Sequence, residues 1–160
     1  MSVELVVIAP LVPVGLGDEF AGAGTVPLHL TVLPKVRLPA DLSAALSAVV
    51  GDIAATTAPI AVVADGRAGF GHDGEIPVTT VELSATLRRL HLRLRDDVLR
   101  VGAVAAQPAY SGDGYRPHVS DTGDGAKVSP GEQMLLTSLT ILDCTLPTRR
   151  LVHHAALAGS

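Results

Sequence analysis

Pro27-Leu28-His29-Leu30-Thr31-Val32 and Tyr115-Arg116-Pro117-His118-Val119-Ser120-Asp121 are two segments of one kind, their histidines 118 − 29 = 89 residues apart. Each holds a His-x-Thr or His-x-Ser tripeptide on what reads as an extended strand. In a strand, residues i and i+2 point to one face, so His29 shares a side with Thr31 and His118 with Ser120, while Leu30 and Val119 turn inward. Each copy is half of a site. Face to face, the halves supply two imidazoles, one to act as base and one as acid, with two hydroxyls to donate to an oxyanion. That set suits displacement at a phosphodiester without a metal. One tripeptide alone carries little information. The pair carries more, because each imidazole stands one or two residues beyond a proline that opens an extended segment and fixes an edge strand.

Outward from the first motif, residues 3–9 read as a buried strand stopped by Pro10, and residues 14–25 as a Gly-rich loop that lacks a dinucleotide-binding pattern. The first motif strand covers 27–33. Asp41 is the expected N-cap of a helix carrying Leu42, Leu46, Val49 and Ile53 at helical spacing, ended by the run from Thr56 to Pro59. Strands are expected over Ile60–Ala64 and Ile76–Leu83, with a Gly-rich connection between them. Ser84 can cap a second helix with Leu87, Leu90, Leu94 and Val98 as its apolar stripe. Arg88, Arg89, Arg93 and Arg95 lie off that stripe and read as a solvated face beside Asp96 and Asp97. The second motif strand covers 115–120, a polar turn follows, and strands are expected over Met134–Leu142 and 149–157. Each half offers a helix and one His tripeptide, the pattern of a duplicated α+β unit.

Composition narrows the class. The chain has 160 residues, 48% hydrophobic and 18% charged, which fits one globular domain with a real core. Phe20, Phe70, Tyr110 and Tyr115 are its only aromatic residues, so the core must rest on Val, Leu, Ile and Ala. A net charge of −4 argues against broad binding of duplex nucleic acid and leaves room for a small phosphate ligand in a local pocket. Cys144 stands alone, which removes an internal disulfide and a thiolate zinc site and reads as a small buried strand residue. The apolar run Val3–Val14 is too short to span a bilayer and carries Glu4 where a signal peptide is basic, so the expected location is the cytoplasm. No cofactor, metal or membrane partner is expected, and oligomeric state is left open.

With those residues in view, the chain resembles the 2H phosphoesterase superfamily, which includes the 2′-5′ RNA ligase-like proteins and cyclic nucleotide phosphodiesterases. PLHLTV and YRPHVSD look like its paired His-x-Thr/Ser motifs, Gly69-Phe70-Gly71 sits where such proteins often carry Phe-Gly, and the strand-helix run Ile76–Leu94 follows. The resemblance covers most of the chain. It implies an α+β, bilobal fold over residues 1–160, two antiparallel sheets around a central cleft with outer helices. It also implies that His29 and His118 are the acid/base pair and that Thr31 and Ser120 hold non-bridging phosphate oxygens. Many relatives place a helix between the first strand and the first motif. This chain has only the Gly-rich loop, which with its acidic charge favours a small nucleotide or short oligonucleotide over a large RNA.

The expected activity is metal-independent hydrolysis of 2′,3′-cyclic phosphate, 2′-5′ linked or cyclic (oligo)nucleotides, in some superfamily members a route to degrading nucleotide second messengers. The alternative is a non-catalytic nucleotide- or protein-binding module on the same scaffold. Tyr110 and Tyr115 flank the second motif as candidate base-stacking platforms. Arg116, on the same strand face as His118, is the leading phosphate cation, with Lys35 and Lys127 behind it. Phe70 reads chiefly as packing behind the cleft, with substrate contact as the other option. His72, His91, His153 and His154 match no motif.

Overall fold

The computed structural model describes residues 1–159. Its elements in chain order are β1 (Ser2–Pro10), β2 (Glu19–Phe20), β3 (His29–Pro39), α1 (Ser43–Ala55), β4 (Ile60–Phe70), β5 (Ile76–Val81), α2 (Ala85–Val101), β6 (Val104–Ala105), β7 (His118–Ser120), β8 (Gln133–Leu136), β9 (Ser138–Asp143) and β10 (Arg149–Ala156). Six strands form one sheet in the order β2-β10-β9-β1-β3-β6, and four form another in the order β7-β5-β4-β8. Every pairing is antiparallel. The protein is thus α+β, with two antiparallel sheets about a cleft and helices outside them.

β1 is apolar almost throughout because neighbours cover both of its faces. Leu5, Val7 and Ala9 enter the main core, while Ile8 and Val6 belong to a smaller cluster with Val26, Leu142, Cys144 and Leu151. The main core runs continuously from Leu30 and Ile141 of the six-stranded sheet to Ile60, Val62 and Val119 of the other. Contiguous apolar packing therefore ties the two motif strands to one body. α1 packs on β9, β10 and α2, and α2 packs on β3 and β4. No helix among the described residues is long and apolar enough to cross a membrane.

The second helix follows its expected signals: the Ser84 hydroxyl accepts from the Leu87 amide at 3.1 Å and Gly102 ends it at φ 124°. Its arginine face is solvated, with Arg88 on Asp113 at 3.1 Å and Arg95 on Asp96 at 3.1 Å. α1 differs. A 3-10 turn over Ala40–Leu42 precedes it, so Leu42 rather than Asp41 occupies the cap.

Other departures trace to non-local pairing. β4 does not stop at Ala64 but runs to Phe70 through a register shift against β5, converting half of the Gly-rich connection into strand. Gly69 is needed there, since a Cβ would lie 2.2 Å from the carbonyl oxygen of Gly74. The expected strand over Met134–Leu142 is two strands in different sheets, β8 on β4 and β9 between β1 and β10. The second motif strand is only His118–Ser120, and the first begins at His29 and continues to Pro39. The sheets do not follow the two halves of the sequence either: β9 and β10 join β1 and β3, while β4 joins β5, β7 and β8.

Candidate active site

β3 carries His29 and Thr31 on the larger sheet, and β7 carries His118 and Ser120 as an edge strand of the smaller one. The two strands lie against each other. Leu30 and Val119 are fully buried between polar neighbours that are only half-buried, the alternation expected of strands with one face on a core and one on a cleft. All four polar side chains face one cavity of about 1040 Å³. That is ample for a nucleotide.

The histidines are fixed identically. His29 Nδ1 lies 2.8 Å from the Pro27 carbonyl oxygen, and His118 Nδ1 lies 2.8 Å from that of Arg116. A carbonyl only accepts, so each Nδ1 carries the proton and donates it, leaving Nε2 as the lone-pair nitrogen of the neutral ring. Burial lowers the pKa of both rings, partly offset by these bonds. Charge on His118 lowers that of His29 further, and the Arg116 guanidinium does so for His118. Charge on His118 thus opposes protonation of His29, which favours one charged ring beside one neutral ring.

The rings have definite neighbours. Phe70 does not pack behind the cleft: its ring centroid is 4.3 Å from that of His118, and the Arg116 guanidinium sits over the Phe70 ring at 4.4 Å. Phe70 thus lines the cavity with Arg116, and its ring can stabilise the imidazolium and the guanidinium. Asp121, next to Ser120, is clamped by both terminal nitrogens of Arg67 at 2.7 Å. Arg67 also donates to the Thr79 hydroxyl at 2.8 Å, which in turn donates to the Val128 carbonyl at 2.6 Å. The ion pair holds the Asp121 carboxyl below its ordinary pKa.

The two tyrosines separate. Tyr110 is 53% exposed on the rim and remains available to a base. Tyr115 is not a free platform: it is 5% exposed, and one face of its ring stacks on His91 at 3.9 Å and 5°. Its hydroxyl donates to the Thr31 carbonyl at 2.8 Å, linking the approach to the second motif with the strand of the first. Burial pushes its phenol above the ordinary range.

His91, which matched no motif, completes that link. It is fully buried, its Nδ1 donates to the Val32 carbonyl at 2.7 Å, and its Nε2 accepts from the Gly112 amide at 2.9 Å. Such a ring must be neutral, and burial lowers its pKa. The sequence signal was its place on the buried stripe of α2 between Leu87 and Leu94. An imidazole there needs two partners.

Lys35 borders the cavity, as do Arg149 and Cys144, whereas Lys127 is exposed outside it. Cys144 lies one residue beyond β9, and burial raises its thiol pKa. His72 is an exposed residue of the rim. His153 and His154 lie on β10, the latter bonded to Thr140 at 2.8 Å.

A family model described as the 2′-5′ RNA ligase superfamily matches residues 16–133, most of the chain including both motifs. Among solved structures, the fold is similar to Escherichia coli LigT complexed with 3′-AMP, at TM-score 0.63 and 19% identity over 98% of this chain and 99% of that one. It is similar at TM-score 0.63 and 16% identity, with the same coverage, to a protein of Thermus thermophilus. A crystal structure described as a phosphoesterase gives TM-score 0.61 at 19% identity, again over 98% and 99% of the two chains. No curated protein matches by sequence.

Proposed function

We propose that this chain, which belongs to the 2′-5′ RNA ligase superfamily, is a metal-independent phosphodiesterase of small nucleotides or short oligonucleotides, working as one two-lobed cytoplasmic domain. The substrate class is 2′,3′-cyclic phosphate, 2′-5′ linked or cyclic (oligo)nucleotides, and degradation of a nucleotide second messenger falls within it. The observation that carries the proposal is the twofold repetition of one device: two imidazoles, each tethered through Nδ1 to the carbonyl two residues before it, beside a hydroxyl that faces the same cavity.

In the proposed reaction, the neutral Nε2 of one histidine takes the proton of a water as its oxygen attacks phosphorus. The opposite imidazolium gives its Nε2 proton to the departing ribose oxygen. Thr31, Ser120 and Arg116 hold the non-bridging oxygens as charge builds on them. Fixed tautomers matter here, because only Nε2 can exchange protons with the substrate while Nδ1 stays engaged. In the reverse direction the histidines exchange roles. The nucleotides named with LigT crystals, 3′-AMP, NADP⁺ and ATP, are of the size and charge the proposal asks this cavity to hold.

The test is turnover of a panel of 2′,3′-cyclic mononucleotides, cyclic di- and trinucleotides, 2′-5′ oligoadenylate and RNA ending in a 2′,3′-cyclic phosphate, with and without EDTA. Turnover that resists EDTA and falls by at least about 10²-fold in both His29→Ala and His118→Ala supports the proposal. Turnover that survives both substitutions refutes it. Tight nucleotide binding with no turnover of any substrate would assign a binding module instead.

A further inference from the structure

The cavity reaches beyond the histidines to Leu142 of β9, Cys144 next to it and Arg149 of β10. Its floor is built on the larger sheet by Ile8 and Val6 of β1 and Leu142 of β9. Ile8 stands opposite Thr31, and Val6 stands opposite Leu142. From Thr31 on β3 the floor therefore runs about 4.8 Å across to Ile8, about 7 Å along β1 to Val6 and about 4.8 Å more across to Leu142 on β9.

Lys35 of β3 and Arg149 of β10 line the cavity on either side of that floor. The register of β3 against β1 slips twice between Thr31 and Val36, so Pro34 and Lys35 both turn to the cavity instead of alternating. Arg149 opens β10, and its Nη1 donates to the carbonyls of Leu146 at 2.9 Å and Pro147 at 3.0 Å, which anchors the guanidinium. Burial and the Asp143 and Glu4 carboxylates raise the pKa of the Cys144 thiol between them, and both cations oppose that rise.

The two carboxylates that act on Cys144 hold other partners. Glu4 pairs with Arg37 at 3.0 Å, and Asp143 accepts from the amide and hydroxyl of Thr145 at 2.9 and 2.5 Å. Lys35 has no carboxylate partner among the described residues. In a chain of net charge −4, this cavity is lined by Lys35, Arg116 and Arg149 against a single carboxylate, Asp121, that Arg67 neutralises. A local excess of positive charge in a low-dielectric cleft concentrates anions. Here it flanks the apolar strip of Val6, Ile8 and Leu142.

We infer that Lys35 and Arg149 form a second anion subsite, which receives a phosphate one nucleotide removed from the phosphate at the histidines. The preferred substrate then carries at least two phosphates separated by a nucleoside, whose apolar faces rest on Val6, Ile8 and Leu142. The inference rests on the proposed phosphodiesterase site for the identity of the first phosphate.

Binding of 3′-AMP and of adenosine 3′,5′-bisphosphate, which differ by one phosphate, tests it by calorimetry. Wild-type protein is expected to bind the bisphosphate at least about tenfold more tightly. That advantage should fall below about threefold in Lys35→Met and in Arg149→Met and return in Lys35→Arg, which restores charge at the same place. Equal affinity for the two ligands in wild-type protein overturns the subsite alone, as does an advantage that persists in the double Met variant. If neither ligand binds and no substrate is turned over, the subsite and the phosphodiesterase proposal fall together. Binding with a bisphosphate advantage but no turnover leaves the subsite standing and removes only the chemistry.

Discussion

Tyr115→Phe isolates the tie between the two motifs. The substitution keeps the ring that stacks on His91 at 3.9 Å and removes only the oxygen that donates to the Thr31 carbonyl at 2.8 Å. No cavity larger than that oxygen is made, so packing loss is small. The main cost is a carbonyl in a half-buried strand that loses its partner, about 1–3 kcal/mol. For a chain of 160 residues this lowers the melting temperature by roughly 2–10 °C. The carbonyl belongs to the residue whose hydroxyl faces the proposed phosphate site, so its release also loosens Thr31 relative to His118. A displacement approaching 1 Å costs up to about 10²-fold in rate. The expected outcome is a drop in kcat of roughly 10- to 100-fold, with KM within about threefold of wild type, measured on the best substrate of the panel alongside urea and thermal unfolding. A variant that melts earlier but keeps its kcat would reduce the tie to a structural role. Unchanged melting temperature and unchanged kcat together would refute the reasoning outright.

The remaining predictions concern charge. In NMR titrations of the free protein, His29 and His118 are expected to titrate below about pH 6.5; Arg116→Gln removes a positive charge from His118 and should move its step upward, and a downward or absent shift would contradict that geometry. His91 is buried with its pKa below the unfolded value of about 6.5, so the unfolded chain binds more protons under acid conditions. Stability on its account is complete above about pH 6.5 and is lost as pH falls from there toward the folded-state pKa. His29 and His118 add with the same sign, so the measure is a comparison: urea midpoints of His91→Phe should fall less steeply from pH 7 to pH 5 than those of wild type. Arg67→Met frees the Asp121 carboxylate beside the phosphate site and should raise KM about tenfold, while adding Asp121→Asn should recover most of that loss. Failure of the second substitution to rescue the first would show that Arg67 acts through Thr79 instead.

How far the sequence could be read depends on whether the physics was local. The alternation around Leu30 and Val119, the Ser84 cap and the apolar stripe of α2 are set within a few residues, and each stands where the pattern puts it. Strand partners are not set locally. Gln133–Leu136 and Ser138–Asp143 form one alternating run in sequence, yet the chain changes sheets at Thr137 because β1 and β10 need a strand between them while β4 needs one at its edge. Asp65–Phe70 reads as loop for its glycines and becomes strand because β5 supplies a ladder and Gly69 admits the close approach of Gly74.

The same distinction explains the site. Three imidazoles in this protein are held in one manner, each donating Nδ1–H to a backbone carbonyl: His29 to Pro27, His118 to Arg116 and His91 to Val32. For the first two the carbonyl is two residues away, so proline-led strand geometry delivers the tether, and the motif is legible. For His91 the carbonyl is 59 residues away, and only the folded sheet delivers it. What separates the two histidines proposed to react from the structural one is then the surroundings of Nε2. On His91 the Gly112 amide fills that position, and Tyr115 covers the ring, so the group can neither accept a proton from substrate nor leave its place. His29 and His118 instead face a cavity lined with hydroxyls and a guanidinium. The buried histidine holds, through Val32 and Tyr115, the strands whose histidines line the cavity, and in the proposed reaction rigidity at its Nε2 serves proton transfer at the other two.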